Sequence, residues 1–219
     1  MKALLTSISL IILSLGPMSA YADEEAITLS GKRVILKEDG TWEYKKVHDV
    51  NEVTFRGIPW GQEAGLIKKS ISEEPLYDDD RVLSYKDSLS GLKAQYALFL
   101  ANGRFIRGRY IFTERHTNDN LFMTDFEEID KLLKEKYGNP KEHETSWLND
   151  LYKDNFEHWG MAISMGHLLI FSEWRMGNVT IYHSLHGDNF DIYHILEYQH
   201  KHMQALEDVL KKEEDKAKL

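Results

Sequence analysis

The 219-residue chain contains no cysteine. That excludes disulfides in any compartment and removes the thiol that a lipoprotein precursor needs for its lipid. It is also short of positive charge: 27 Lys and Arg stand against 36 Asp and Glu, a formal charge of −9. This balance repels nucleic acid and anionic membrane surfaces at long range, so neither is expected as a partner. Beyond the N-terminus no run approaches the ~20 apolar residues that span a bilayer, so no membrane anchor is expected. Catalytic signatures are missing too. There is no Gly-x-Ser-x-Gly elbow, no His-Glu-x-x-His helix and no glycine loop for phosphate. These absences favour a non-catalytic protein with no cofactor.

What is present begins with an export signal. Lys2 supplies a positive start, Ala3 to Leu15 form an apolar stretch of signal-peptide length, and Gly16-Pro17 break it. Ala20-Tyr21-Ala22 then offers small residues at the two positions a signal peptidase must accommodate, which places cleavage after Ala22. Removing residues 1–22 takes away one lysine and no acid, leaving 26 basic and 36 acidic residues in the mature chain. The expected location is the periplasm or the medium.

Alternation with period two marks a small β-meander over 23–47, with runs at Ile27-Leu29, Val34-Leu36 and Trp42-Tyr44 and turns at Ser30-Gly31 and Asp39-Gly40. A unit this small buries too little to stand alone and must dock elsewhere. Residues 48–54 read as a linker, and the main body as an α+β domain over 55–199. That body is written twice as a helix followed by an antiparallel meander, in units of about 55–116 and 117–199. The first helix is expected over Gly61 to Ile71. The second is expected from a capping box at Thr124 and Glu127, with Phe126, Ile129, Leu132 and Leu133 as its stripe and Gly138 with Pro140 as its stop. Strands are expected at Val82-Ser88, Leu92-Ala101 and Arg104-Phe112, parted by Ser90-Gly91 and Asn102-Gly103. A second set is expected at Trp147-Tyr152, Met161-Met165, His167-Trp174, Val179-Leu185 and Ile192-Tyr198. Residues 200–219 form a charged helical tail whose apolar stripe, Met203, Leu206 and Leu210, fades beyond Lys211.

Two motifs carry a resemblance. Ser30-Gly31-Lys32-Arg33-Val34 with Asp39-Gly40-Thr41-Trp42 resembles a hairpin of uncharacterised exported bacterial proteins, and Arg56-Gly57-Ile58-Pro59-Trp60-Gly61 resembles the opening of a helix-plus-meander domain in the same kind of protein. Lys136-Tyr137-Gly138-Asn139-Pro140 resembles that domain's second helix end. These are turn and packing residues, so the likeness implies fold and location and no activity. The doubled order is similar to tandem β-lactamase-inhibitory domains and to outer-membrane assembly lipoproteins, which bind other proteins; that is an analogy of fold.

Candidate site residues fall in three groups. Eight of the ten histidines lie from His143 onward, and His183, His186, His194, His200 and His202 are candidate zinc or copper ligands, the basis of an alternative reading as a metal-binding protein or metal-dependent enzyme. The odd spacing of His183 and His186 puts them on opposite faces of one strand, so scattered surface or packing histidines are the favoured reading. Asp78-Asp79-Asp80, Asn118-Asp119-Asn120 and Asp188-Asn189 lack calcium-loop spacing and read as solvated turns. Trp147, Trp159, Tyr182 and Tyr193 are the candidate contacts for a bound envelope or secreted protein, because such rings bring large area at small entropic cost. Trp60 and Trp174 read as core.

Overall fold

The structure, a computed structural model, describes residues 24–28, 32–45 and 52–219, together with the backbone of Leu10 and Ile11. Two tight turns organise the first half. Ser90-Gly91 (φ 55° and 81°) and Asn102-Gly103 (φ 48° and 67°) both place two consecutive residues at positive φ. That twist joins adjacent antiparallel strands directly. They link β6 (Val82–Leu89), β7 (Leu92–Ala101) and β8 (Arg104–Phe112), with the two-residue β5 (Tyr77–Asp78) at the outer edge. The second half gives β9 (Glu142–Trp147), β10 (Leu168–Met176), β11 (Val179–Asp188) and β12 (Asp191–His200).

The two meanders fuse through their last strands. Ile111 pairs with Ile195 and Arg109 with Glu197, so the order is β5-β6-β7-β8-β12-β11-β10-β9, one continuous antiparallel sheet of eight strands. The architecture is α+β.

Because side chains alternate along each strand, such a sheet has two distinct faces. One carries Tyr96, Leu98, Tyr110, Ile170, Trp174, Ile181, Leu185 and Leu196, all buried, beneath α1 (Ala64–Ser70), α2 (Leu121–Tyr137) and α3 (Trp159–Ser164). Trp60 stacks on Phe105 at 4.9 Å and 8°, and its indole N–H donates to Val53 O at 2.8 Å. Phe55 lies so close over Gly108 that a Cβ there would sit 2.3 Å from its ring, which explains a glycine in mid-strand. α4 (Lys201–Ala217) turns back over the other face, where Glu207 meets Arg107 at 3.1 Å.

Three expectations need correction. α2 starts at Leu121, so Thr124 lies exposed inside the helix and makes no capping box. Met161 to Met165 belongs to helix α3 and not to a strand, and the strand expected over Trp147-Tyr152 runs instead over Glu142–Trp147, with a 3-10 turn at Asp150–Tyr152. One residue accounts for the helical outcome. The Asn120 side chain accepts from Gly160 N–H at 2.6 Å and donates to Phe156 O and Glu157 O, while Gly160 packs where a Cβ would come 2.3 Å from the Asp119 backbone. Docking on the start of α2 therefore overrides the local alternation.

The N-terminal meander forms as β2 (Glu24–Thr28), β3 (Arg33–Leu36) and β4 (Trp42–Tyr44), with Gly40 at φ 77° in its turn. A two-residue strand β1 (Leu10–Ile11) pairs with Ile27 and Thr28. The rest of the expected signal segment 1–22, the Ser30-Gly31 turn, the last two residues of the expected meander (46–47) and linker residues 48–51 lie outside the described residues. α4 is helical to Ala217, well past the point where its stripe fades.

Candidate functional site

Four histidines belong to the β11–β12 region and divide between two buried clusters and the surface. His183 and His194 meet inside the core with Nε2 to Nε2 at 2.8 Å, His183 stacked on Phe126 at 4.0 Å and His194 on Phe112 at 4.1 Å. Asp130 on α2 faces His183 Nδ1 at 3.4 Å and accepts from Lys134 Nζ at 2.7 Å. Burial alone would raise the Asp130 carboxyl, but hydrogen bonds from His183, Lys134 and Ser172 hold it well below the usual carboxylate range. An ionised Asp130 assigns the tautomers: His183 Nδ1–H points to it, His183 Nε2 accepts, and His194 Nε2–H donates. His194 Nδ1 then has no partner among the described residues. Burial pushes His183 down against the pull of Asp130, and pushes His194 down to about 2. Both rings are neutral packing elements.

The second cluster ties the small sheet to the body. Arg33, itself buried, forks onto Glu52 at 2.7 and 3.0 Å and also bonds Glu25. His200 Nε2 reaches Glu52 at 3.0 Å, and His202 Nδ1 reaches Glu25 at 3.2 Å. Burial would raise both carboxyls, yet hydrogen bonds from His200 and Arg33 pull Glu52 down to about 2. The ligands of this cluster are one another. Among the described residues no three His, Cys, Asp or Glu side chains are grouped to hold a metal ion. The five candidate metal ligands are thus split between a core pair, an interdomain ion cluster and His186.

His186 lies on the sheet face opposite α1 to α3, at the end away from α4, stacked on Tyr193 at 5.4 Å. Cross-strand register builds this face in rows. One runs Gln95, Ile111, Ile195, Ser184, Phe171 and Glu144; the next runs Ala97, Arg109, Glu197, Tyr182, Glu173 and Glu142. Tyr182 and Tyr193 are 36% and 43% exposed. Arg109 pairs with Glu197 and Arg175 with Glu173, so the half of the face nearer α4 is ionic and the half nearer the β11–β12 turn is apolar and aromatic. Helices α1 to α3 all lie on the opposite side.

Trp147 and Trp159 sit away from those tyrosines, edge to face at 5.3 Å on the helix side, and Trp159 also meets Phe156 at 5.1 Å. Both tryptophans are half-buried, whereas Phe156 beside them is 63% exposed. The β11–β12 turn lies at this same end. It puts Asn189 at φ 51° and Phe190 at φ 69°, with Phe190 N–H donating to Ser164 O at 2.9 Å and its ring 71% exposed. Glycine is the usual residue at the second position of such a turn. A phenylalanine held there costs on the order of 1–3 kcal/mol.

No family model, curated protein or solved structure matches this chain.

Cavities are the last feature. A cleft of about 190 Å³ opens between α2 and the sheet, lined by Phe55, Leu133, Leu196 and Tyr198 with Arg56 and Lys136 at its rim. It is smaller than the roughly 300 Å³ at which ligand pockets begin. A depression of about 710 Å³ between α4 and β6–β7 is lined by charges such as Arg81, Glu207, Lys211 and Glu214, with Val82 and Phe99 between them. Among the described residues no helix is long and apolar enough to cross a membrane.

Phe190 was legible only as part of an Asp-Asn-Phe-Asp turn, where the missing glycine is the signal. Ile111, Ile195 and Phe171 gave none, because strand alternation says which residues share a face and not which face a helix leaves open.

Proposed function

We propose that the mature chain is an exported, non-catalytic binding module of the periplasm or cell envelope, and that it holds another protein against the part of the sheet face opposite α1 to α3 that α4 leaves open. The observation that carries this reading is the aromatic half of that face, Tyr193 and His186 beside Ile111, Ile195 and Phe171, with Tyr182 bordering it in the ionic row, on the side that α1 to α3 leave free. Partly exposed tyrosines on rigid strands supply contact area without ordering cost, and flanking Arg–Glu pairs supply a polar rim. The histidines support the non-catalytic side of the reading, since His183, His194 and His200 are consumed by packing and ion pairing in the core.

Two measurements test it. Intact mass spectrometry of the protein recovered from its own host is expected to give a chain beginning at Asp23; a retained N-terminus would remove the export half of the proposal. Native mass spectrometry of the same preparation, gently purified, is expected to show a protein complex. The double change Tyr182→Ala with Tyr193→Ala is expected to weaken that complex at least tenfold, about 1.4 kcal/mol or more, with the unfolding midpoint nearly unchanged. A complex that survives the double change intact would place the partner elsewhere.

A further inference from the structure

A second surface stands at the turn end of the sheet, independent of the tyrosine face. Four segments converge there. Phe190 is bonded to Ser164 at the end of α3, Asn120 before α2 is bonded to Phe156 and Gly160, and Leu148 N–H donates to His167 O at 2.8 Å. Each segment exposes a large apolar side chain: Leu148, Leu151, Phe156, Met161, Leu121 and Phe190 are between 43% and 75% exposed. Clustered exposed apolar side chains mark interaction sites on soluble proteins. The strained backbone of Phe190 fits that reading, because strain persists where a side chain must be presented.

The charges around the patch choose its occupant. Residues 117–121, 147–164 and 187–192 contain Asp119, Asp150, Asp154, Glu157, Asp188 and Asp191 against a single Lys153, which is itself paired with Asp150 at 3.2 Å. An apolar centre flanked along the chain by six carboxylates, of which only Asp150 is paired with the one lysine, repels anionic lipid and an acidic protein alike, a second copy of this chain included. We infer that this end is a docking surface for a cationic segment of another protein, one that seats an aromatic or aliphatic side chain beside Phe190 and places Lys or Arg against the carboxylate ring. The inference does not depend on the tyrosine face.

The test is a phage-displayed library of random 12-residue peptides panned on the mature protein. Enriched peptides are expected to combine Lys or Arg with Phe, Trp, Leu or Met, and the affinity of a synthesised winner is expected to fall at least tenfold between 0.05 and 0.5 M salt. Phe190→Gly separates binding from folding, since glycine accepts φ 69° without strain. This variant is expected to raise the unfolding midpoint by about 2–4 °C while weakening the winner at least tenfold. Tyr182→Ala with Tyr193→Ala is expected to leave the winner's affinity unchanged, so failure here and failure of the tyrosine face are told apart. A library that enriches nothing, or enriches peptides without basic residues, overturns the inference. So does a winner indifferent to Phe190→Gly, or tighter binding to phosphatidylcholine vesicles than to any peptide.

Discussion

Trp174→Ala is expected to cost about 3–5 kcal/mol of folding stability, a large part of the 5–15 kcal/mol that holds a typical domain. The indole is 1% exposed in the main core, so truncation removes its transfer free energy and leaves a cavity in a sheet whose neighbours cannot close up. Its N–H also donates to Gly138 O at 2.8 Å. Gly138 ends α2 at φ 81°, so the lost bond frees a carbonyl at the point where the helix is fastened to β10. Trp174→Phe keeps most of the ring and is expected to lose about 1–2 kcal/mol, the cost of one unmade buried hydrogen bond. Urea unfolding followed by circular dichroism reads both values. A loss below about 1 kcal/mol for Trp174→Ala would mean that this junction contributes little to the core.

Acid is expected to unfold the protein from an unusually high pH. In the unfolded chain His183, His194 and His200 titrate near pH 6.5. In the folded chain burial pushes all three down, to about 2 for His194, with the nearby Asp130 and Glu52 opposing the shift at His183 and His200. Depressed histidines mean that the unfolded state binds more protons, so their contribution is complete above about pH 6.5 and is lost as pH falls below it. His194, pushed furthest, contributes up to about 1.4 kcal/mol per pH unit, and His183 and His200 add to the slope in the same direction. The depressed carboxyls Glu25, Glu52 and Asp130 act in a lower window, since their stabilisation is lost only as pH drops below about 4.5. The interval between is the histidines' own. Urea midpoints at pH 7.5, 6.5 and 5.5 measure the slope, and a flat profile down to pH 5 would show that these rings are reached by solvent in the folded state.

Much of the fold was legible because its turns are written in residues with one conformational use. Ser90-Gly91 and Asn102-Gly103 specify positive φ and so dictate which strands are neighbours. Gly138 followed by Pro140 ends α2 where it does. The segment 156–164 was not legible, since Met161, Ile163 and Met165 alternate as a strand would, and only the grip of Asn120 on Phe156 and Gly160 makes it helical. The start of α2 differs for a related reason: Thr124 and Glu127 have capping-box spacing, but the chain already turns five to six residues earlier, where the backbone carbonyls of Asn118 and Asp119 accept from Leu121 and Phe122 N–H and the Asn118 side chain accepts from Asn120 N–H.

The candidate sites divide the same way. Sequence alone determined that the chain has no thiol chemistry and an acidic balance, and it set the internal pairing of β6, β7 and β8, because each of these follows from residue identity or from contacts close along the chain. It also named Trp147, Trp159, Tyr182 and Tyr193 as candidate contacts, of which the fold puts the two tyrosines on one sheet face and the two tryptophans on the other. Only the tertiary structure decided that β8 and β12 join the meanders into one sheet, that α1 to α3 all take one face, and that His183 and His194 close on each other while His200 turns to Glu52. Those outcomes depend on groups 11 to 148 residues apart in sequence, and a pattern of period two or 3.6 carries no record of which distant face will cover it.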